Sequence, residues 1–268
     1  MQTVAFNSLL IERRHLYSRF LNRDVQLHFY VPKQIQSPSS LSLLLINDGQ
    51  DLPEMHFANL LNGLMDTHQI RPVLCVGIHA SEDRKHEYGT ASLLNYLGQG
   101  ARSEAYQQFI TQELLPHVHI HYGVEAFQKT GFAGFSLGGL SAMDTVWNHP
   151  HLFSLVGVFS ASLWWRTKGL DDGYNEDTDR IMHQRVRQGK YQPHLKFFFT
   201  TGSLDETADR NNNGTIDSID DTLGLMEELK QLGYSEGKDI HYINYEDGKH
   251  DVATWGRAMP LFLLWGFS

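Results

Sequence analysis

The chain has 268 residues, 41% of them hydrophobic and 20% charged, which is enough apolar material for a buried core and argues against wholesale disorder. Its 22 Lys and Arg against 31 Asp and Glu leave a net charge of −9 with no basic run, so a nucleic-acid or anionic-membrane partner is disfavoured and a small-molecule partner is expected. No stretch approaches membrane-span length, and the first residues lack a basic leader followed by an apolar run; the chain as given is expected in the cytoplasm, or in the periplasm or outside the cell if a leader was removed.

Short β-branched apolar runs alternate with segments of helical period, the pattern of an α/β protein with a mostly parallel sheet and helices on both faces. In chain order, LLIERRHLYSRFLNRDVQLHFYVP reads as an antiparallel hairpin whose second arm is a strand over Asp24–Pro32. After a turn at Gln36–Ser40 come a strand at Leu41–Asn47, a helix at Met55–His68 and a strand at Pro72–Ala80, whose apolar run encloses the single Cys75 as a buried thiol. A helix at Ser103–Pro116 leads to a strand at Lys129–Phe135, a helix at Ser136–Asn148 and a strand at Leu155–Ala161. The pattern closes with a helix at Asp177–Gln188, a strand at Leu195–Gly202, a helix at Ile219–Leu232, a strand at Asp239–Glu246 and a helix at Asp251–Leu264. No repeat or linker divides the chain, so one domain over residues 1–268 is expected.

Gly134-Phe135-Ser136-Leu137-Gly138 fills G-x-S-x-G between an expected strand and an expected helix. Glycines there let a tight turn project the serine hydroxyl with a helix N-terminus behind it, a nucleophile elbow. A serine needs a base, and on such a fold the acid and then the histidine follow it in the chain. His250 in YEDGKHDVATW hangs in a loop after the last strand, and the loop after LKFFFTTG offers Asp205, with Glu206 as the alternative acid. Two backbone amides should hold the oxyanion: Leu137, directly after the nucleophile, and Gln50 in NDGQDL after an early strand.

With those residues in place the chain resembles the Putative esterase family of α/β-hydrolases, which holds esterase D, enterochelin-type siderophore esterases, feruloyl esterases and mycolyltransferases. LLLINDGQDL, DRKHEYGT, ELLPHVHIHYGV, AGFSLGGLSAM, HPHLFSLVGVFSASLWW, TTGSLDE and DGKHDVATWGRAMP carry the resemblance over nearly the whole chain. It implies an α/β-hydrolase fold and a serine carboxylic-ester hydrolase with Ser136, His250 and Asp205 as triad, Leu137 and Gln50 as oxyanion donors and no organic cofactor. The substrate it implies is a siderophore-type, feruloyl or small acyl ester; acyl transfer on the same fold and a non-catalytic, calcium-stabilised ligand-binding relative are the alternatives. DRKHEY is similar to the family's R-x-x-E-Y, which offers Arg84 to a polar substrate edge or to a loop-fixing pair with Glu87. Trp164 and Trp165 in SASLWW are candidate substrate-binding rings or cleft lining.

Between acid and histidine, DRNNNGTIDSID departs from the family pattern. Asp209, Asn211 and Asn213 at positions 1, 3 and 5, Gly214 at 6, Ile216 at 8, Asp217 at 9 and Asp220 at 12 fit a calcium loop of the dockerin kind. The expected ligands are Asp209, Asn211, Asn213, Thr215 and Asp220, holding one structural Ca²⁺ close enough to Asp205 to order the acid loop. The row His117, His119 and His121 shares a face for zinc only as a strand, whereas the resemblance places it at a helix end.

Overall fold

The computed structural model describes residues 3–35 and 40–268; the turn expected at Gln36–Ser40 lies outside them except for its last residue. Three antiparallel strands open the chain: β1 (Thr3–Ala5), β2 (Leu9–Ser18) and β3 (Arg23–Pro32). The expected hairpin is β2 and β3, in register from Leu9–Pro32 to Ser18–Arg23, and β1 adds a short outer strand that the alternation did not announce.

The α/β alternation follows: β4 (Ser42–Asn47), α1 (Phe57–Asp66), β5 (Val73–Ile78), the one-turn α2 (Arg84–Glu87), then α3 (Ser103–Gln108), a π-turn (Phe109–Leu114) and α4 (Leu115–Tyr122) as one helical run. Next come β6 (Thr130–Phe135), α5 (Leu137–Asn148), β7 (Leu155–Phe159), α6 (Glu176–Asp179), α7 (Ile181–Arg187), β8 (Lys196–Leu204), α8 (Asp217–Leu232), β9 (Ile240–Lys249) and α9 (Val252–Phe267). The sheet order is β1-β2-β3-β5-β4-β6-β7-β8-β9, antiparallel through the β3–β5 pair and parallel from β5 to β9.

β4, β5 and β7 are buried at every position, as expected of strands covered on both faces. One core packs Phe109, Leu114, Leu140, Met143, Met182 and Leu225 from the helical run and from α5, α7 and α8. The other packs Phe57, Leu61, Trp255, Met259 and Phe262 from α1 and α9. Cys75 is buried in β5 with a free thiol that burial pushes up. Two expected helices differ. The run from Ser103 continues past Pro116 to Tyr122, because the π-turn places Pro116 in the first turn of α4, where its missing N–H costs no bond. The Asp177–Gln188 helix breaks at Arg180 (ψ 108°), whose side chain turns inward to Asp221 at 3.1 Å.

The parallel strands end on one side of the sheet, where an open α/β sheet gathers its catalytic groups. There Gln50 follows β4, Ser136 follows β6, Ser160 to Trp165 follow β7, Asp205 follows β8 and His250 follows β9.

Candidate active site

Ser136 joins β6 to α5 at φ 54° and ψ −125°, a conformation that a non-glycine residue keeps only when its surroundings impose it. A Cβ on Gly134 would lie 2.2 Å from the Gly138 carbonyl oxygen, and one on Gly138 would lie 2.5 Å from an Asp48 carboxylate oxygen, so both glycines follow from close backbone packing. Ser136 donates its N–H to Phe159 O at 2.9 Å, and its carbonyl accepts from Gly139 N–H at 3.0 Å and Ser162 N–H at 3.1 Å. The Leu137 N–H, in the first turn of α5, falls outside the intrahelical ladder and lies beside the serine at the positive end of the helix.

The loop after β4 is tied to this elbow. Asn47 Nδ2 donates to Gly138 O at 2.8 Å, and Asp48 N–H donates to the Tyr88 hydroxyl at 3.2 Å. The Gln50 side chain bridges Ala80 N–H at 3.0 Å and Asp48 Oδ1 at 3.2 Å, which fixes the turn carrying the Gln50 amide. Arg84 does not pair with Glu87. Its Nε and Nη2 grip Asp48 at 2.7 Å each, while the buried Glu87 accepts from Arg23 at 2.8 and 2.6 Å. A spacing of three residues misled here because Arg84 reaches a carboxylate from the neighbouring loop and not from its own turn. Arg84 is close enough to His250 to act on its charge.

Asp205, not Glu206, faces the histidine. Asp205 Oδ1 stands 4.0 Å from His250 Nδ1, and its carboxylate is 1% exposed. Oδ2 accepts the Gly202 N–H at 3.0 Å, while Oδ1 is buried with no hydrogen-bond partner. At that separation the two groups interact by charge without a hydrogen bond. Burial lowers the His250 pKa from its ordinary 6.5, opposed by Asp205 and reinforced by Arg84, so the imidazole favours the neutral, basic form. Trp255 meets the imidazole edge-on with ring centroids 5.2 Å apart, and the Asp251 side chain caps α9 by accepting Thr254 N–H at 2.8 Å.

Ser136, His250 and Asp205 line one cavity of about 290 Å³, together with Ser160, Ala161, Ser162, Trp164, Glu206 and Ser218. Trp164 belongs to this wall. Trp165 does not: it is fully buried and its ring packs on Gly89 and Gly100, so its expected place in substrate binding is corrected to a core role. Ser160, Glu206 and Ser218 were not singled out as pocket residues, since only the end of β7 and the start of α8 meeting over the cavity brings them there. A larger, more open hollow of about 590 Å³ lies between Gln107 and Arg185 and contains none of Ser136, His250 and Asp205.

In the 209–220 loop Asp209 accepts the N–H groups of Asn213 at 3.1 Å and Gly214 at 2.9 Å. The side-chain amides of Asn211 and Asn213 donate to the Asp220 carboxylate at 3.0 and 2.7 Å, while their Oδ1 atoms accept the N–H groups of Asn213 at 3.0 Å and Thr215 at 2.8 Å; positions 3, 5 and 12 thus lie together, and carboxylate and amide oxygens are the donor types a hard cation takes. Asp217 turns away, accepting the Arg210 N–H at 2.9 Å. No group of three or more His, Cys, Asp or Glu is arranged for a metal among the described residues, so an ion here would need amide and backbone oxygens beside the Asp209 and Asp220 carboxylates. His117, His119 and His121 sit on α4, not on a strand, and His119 Nδ1 is within 2.6 Å of Val124 O.

The model of the Putative esterase family matches residues 18–265. The chain belongs to that family. It is therefore an esterase, of α/β-hydrolase fold. The iron(III) salmochelin esterase of Escherichia coli is 24% identical over 239 residues, 87% of this chain and 52% of its own length; the chain thus spans about half of that relative. Among solved structures, an IroE-like serine hydrolase from Shewanella oneidensis matches with TM-score 0.71 and 22% identity over 96% of this chain and 80% of that one. A ferulic acid esterase matches with TM-score 0.69 and 17% identity over 95% and 96%. Among the described residues no helix is long and apolar enough to cross a membrane.

Proposed function

We propose that the protein is a serine carboxylic-ester hydrolase acting through an acyl-enzyme. Ser136 Oγ attacks the ester carbonyl as His250 Nε2 takes its proton; the Leu137 and Gln50 amides receive the oxyanion. The alcohol leaves with the proton from His250, and water activated by the same imidazole releases the acid. Asp205 holds the imidazole with Nδ1 protonated, and no organic cofactor takes part. The observation that carries this reading is the strained Ser136 sharing a cavity with His250, which has the buried, otherwise unpartnered Asp205 Oδ1 behind it.

The substrate is a small-molecule ester. The siderophore and ferulic acid esterases among the matches support an ester with a bulky polar or aromatic acyl group, and Trp164 in the cavity wall suits such a ring. Hydrolysis of a short-chain p-nitrophenyl ester by the wild type and by Ser136→Ala tests the reading. Turnover lost in the variant supports it, product partitioning to an added alcohol reveals acyl transfer, and no turnover by either protein sinks it in favour of ligand binding.

The 209–220 loop holds, in the same reading, one structural Ca²⁺ through the side chains of Asp209, Asn211, Asn213 and Asp220 and the Thr215 carbonyl. The ion takes no part in the ester chemistry; these residues would fix the segment between Asp205 and α8. Thermal unfolding with calcium and with a chelator checks this without any assay of activity, and superimposable curves rule it out.

A further inference from the structure

Glu206 is adjacent to the triad acid yet stands outside the triad. Its carboxylate lies near the Ser218 N–H at the start of α8 and forms part of the wall of the Ser136 cavity. Two more polar side chains sit in that wall: Ser160, 2% exposed and at φ 42° just past β7, and Ser218, 9% exposed. Both hydroxyl oxygens are buried and neither has a hydrogen-bond partner. A buried hydroxyl left unpaired is costly, so native proteins keep such groups where a ligand or water completes them.

We propose that Glu206, Ser160 and Ser218 form a specificity subsite for a hydroxyl group on the ester substrate, close to the scissile carbonyl. This rests on the assignment of Ser136 as nucleophile. The donor and acceptor inventory selects the hydroxyl. Glu206 has a carboxylate oxygen to spare and needs a donor; the two serines each carry a proton and need an acceptor. A substrate hydroxyl supplies both at once, whereas an ammonium supplies only donors and an apolar substituent supplies neither. Burial, with Asp217, Asp221 and Asp205 nearby, pushes the Glu206 carboxyl up, so a bonded donor there removes an unfavourable desolvation. Trp164 bounds the same cavity and leaves an apolar wall for the rest of the group.

The test compares kcat/KM for matched esters: p-nitrophenyl 3-hydroxybutyrate against p-nitrophenyl butyrate for the acyl side, and 2-hydroxyethyl butyrate against propyl butyrate for the alcohol side. The wild type is expected to prefer the hydroxylated member of one pair by about tenfold or more, the scale of one charge-assisted hydrogen bond. Glu206→Gln preserves the shape but turns one carboxylate oxygen into a donor; it should bring that preference close to parity, and Ser218→Ala should reduce it several-fold. Melting curves separate loss of the subsite from loss of the fold. No preference in either pair, a preference that survives both substitutions, or a stronger preference for p-nitrophenyl 3-aminobutyrate overturns the subsite. Ser136→Ala separates the two readings: if it is inactive and no preference exists, only the subsite fails, and if it remains active, the nucleophile assignment fails as well.

Discussion

The elbow at residues 134–138 and the segment at 205–221 supply the two sides of the cavity by opposite physical means. The elbow is fixed by backbone: two glycines whose missing Cβ atoms admit neighbouring main chain and an Asp48 carboxylate, and a serine whose N–H and C=O are both engaged. The 205–221 segment is fixed by side-chain charge. Arg210, its side chain 5% exposed, bonds Asp221 at 2.6 and 3.1 Å, Arg180 adds a third bond at 3.1 Å, and Glu176 closes the cluster. A part held by backbone admits few residue types and fixes where the Ser136 side chain starts. A part held by buried ion pairs depends on each charge keeping its partner.

The contrast is broken most severely at the nucleophile. Ser136→Ala should lower kcat/KM by about 10⁴-fold or more in ester hydrolysis kinetics while leaving the melting temperature nearly unchanged, because the elbow conformation does not depend on the hydroxyl. Across the cavity, Asp205→Asn should cost about 10³-fold or more in the same kinetics, by permitting the wrong imidazole tautomer. On the structural side, Gly134→Ala drives a Cβ into the Gly138 carbonyl and should destabilise the fold by about 3 kcal/mol or more in denaturant unfolding. Asp221→Asn, which leaves two buried arginines short of charge, should cost about 3 kcal/mol in the same measurement. Equal damage to activity from Asp221→Asn and Gly134→Ala, at temperatures where both variants are folded, would erase the distinction between the two regions.

A pH profile sharpens it further. Protonation of His250 removes the base, so kcat/KM should fall on the acid side, with a midpoint below the ordinary histidine value of 6.5. Asp205 raises that midpoint, so any activity remaining in Asp205→Asn should lose its acid limb at still lower pH. The smallest effect is expected from calcium, a rise in melting temperature that Asp209→Ala abolishes.

Legibility in the sequence follows the same divide. Gly134, Ser136 and Gly138 were readable because a turn this tight accepts almost nothing else, and the buried strands were readable from continuous apolar runs. The order of Asp205 and His250 along the chain was readable because each follows a parallel strand. The Asp48 partner of Arg84, the burial of Trp165 beside the pocket-lining Trp164 and the helix break at Arg180 were not, since each depends on a residue 36 positions away or more. Glu206 looked like a rival to Asp205; only the placement of α8 shows it beside Ser218 on the cavity wall.

The central claim is that Ser136 is a nucleophile activated by His250, and a fluorophosphonate probe tests it most directly, because an activated serine displaces fluoride and keeps the phosphonyl group. Intact mass followed by peptide mapping should find one adduct, on Ser136, formed far more slowly in His250→Ala. No adduct, an adduct on Ser160 instead, or labelling of Ser136 at the same rate without His250 would contradict the account.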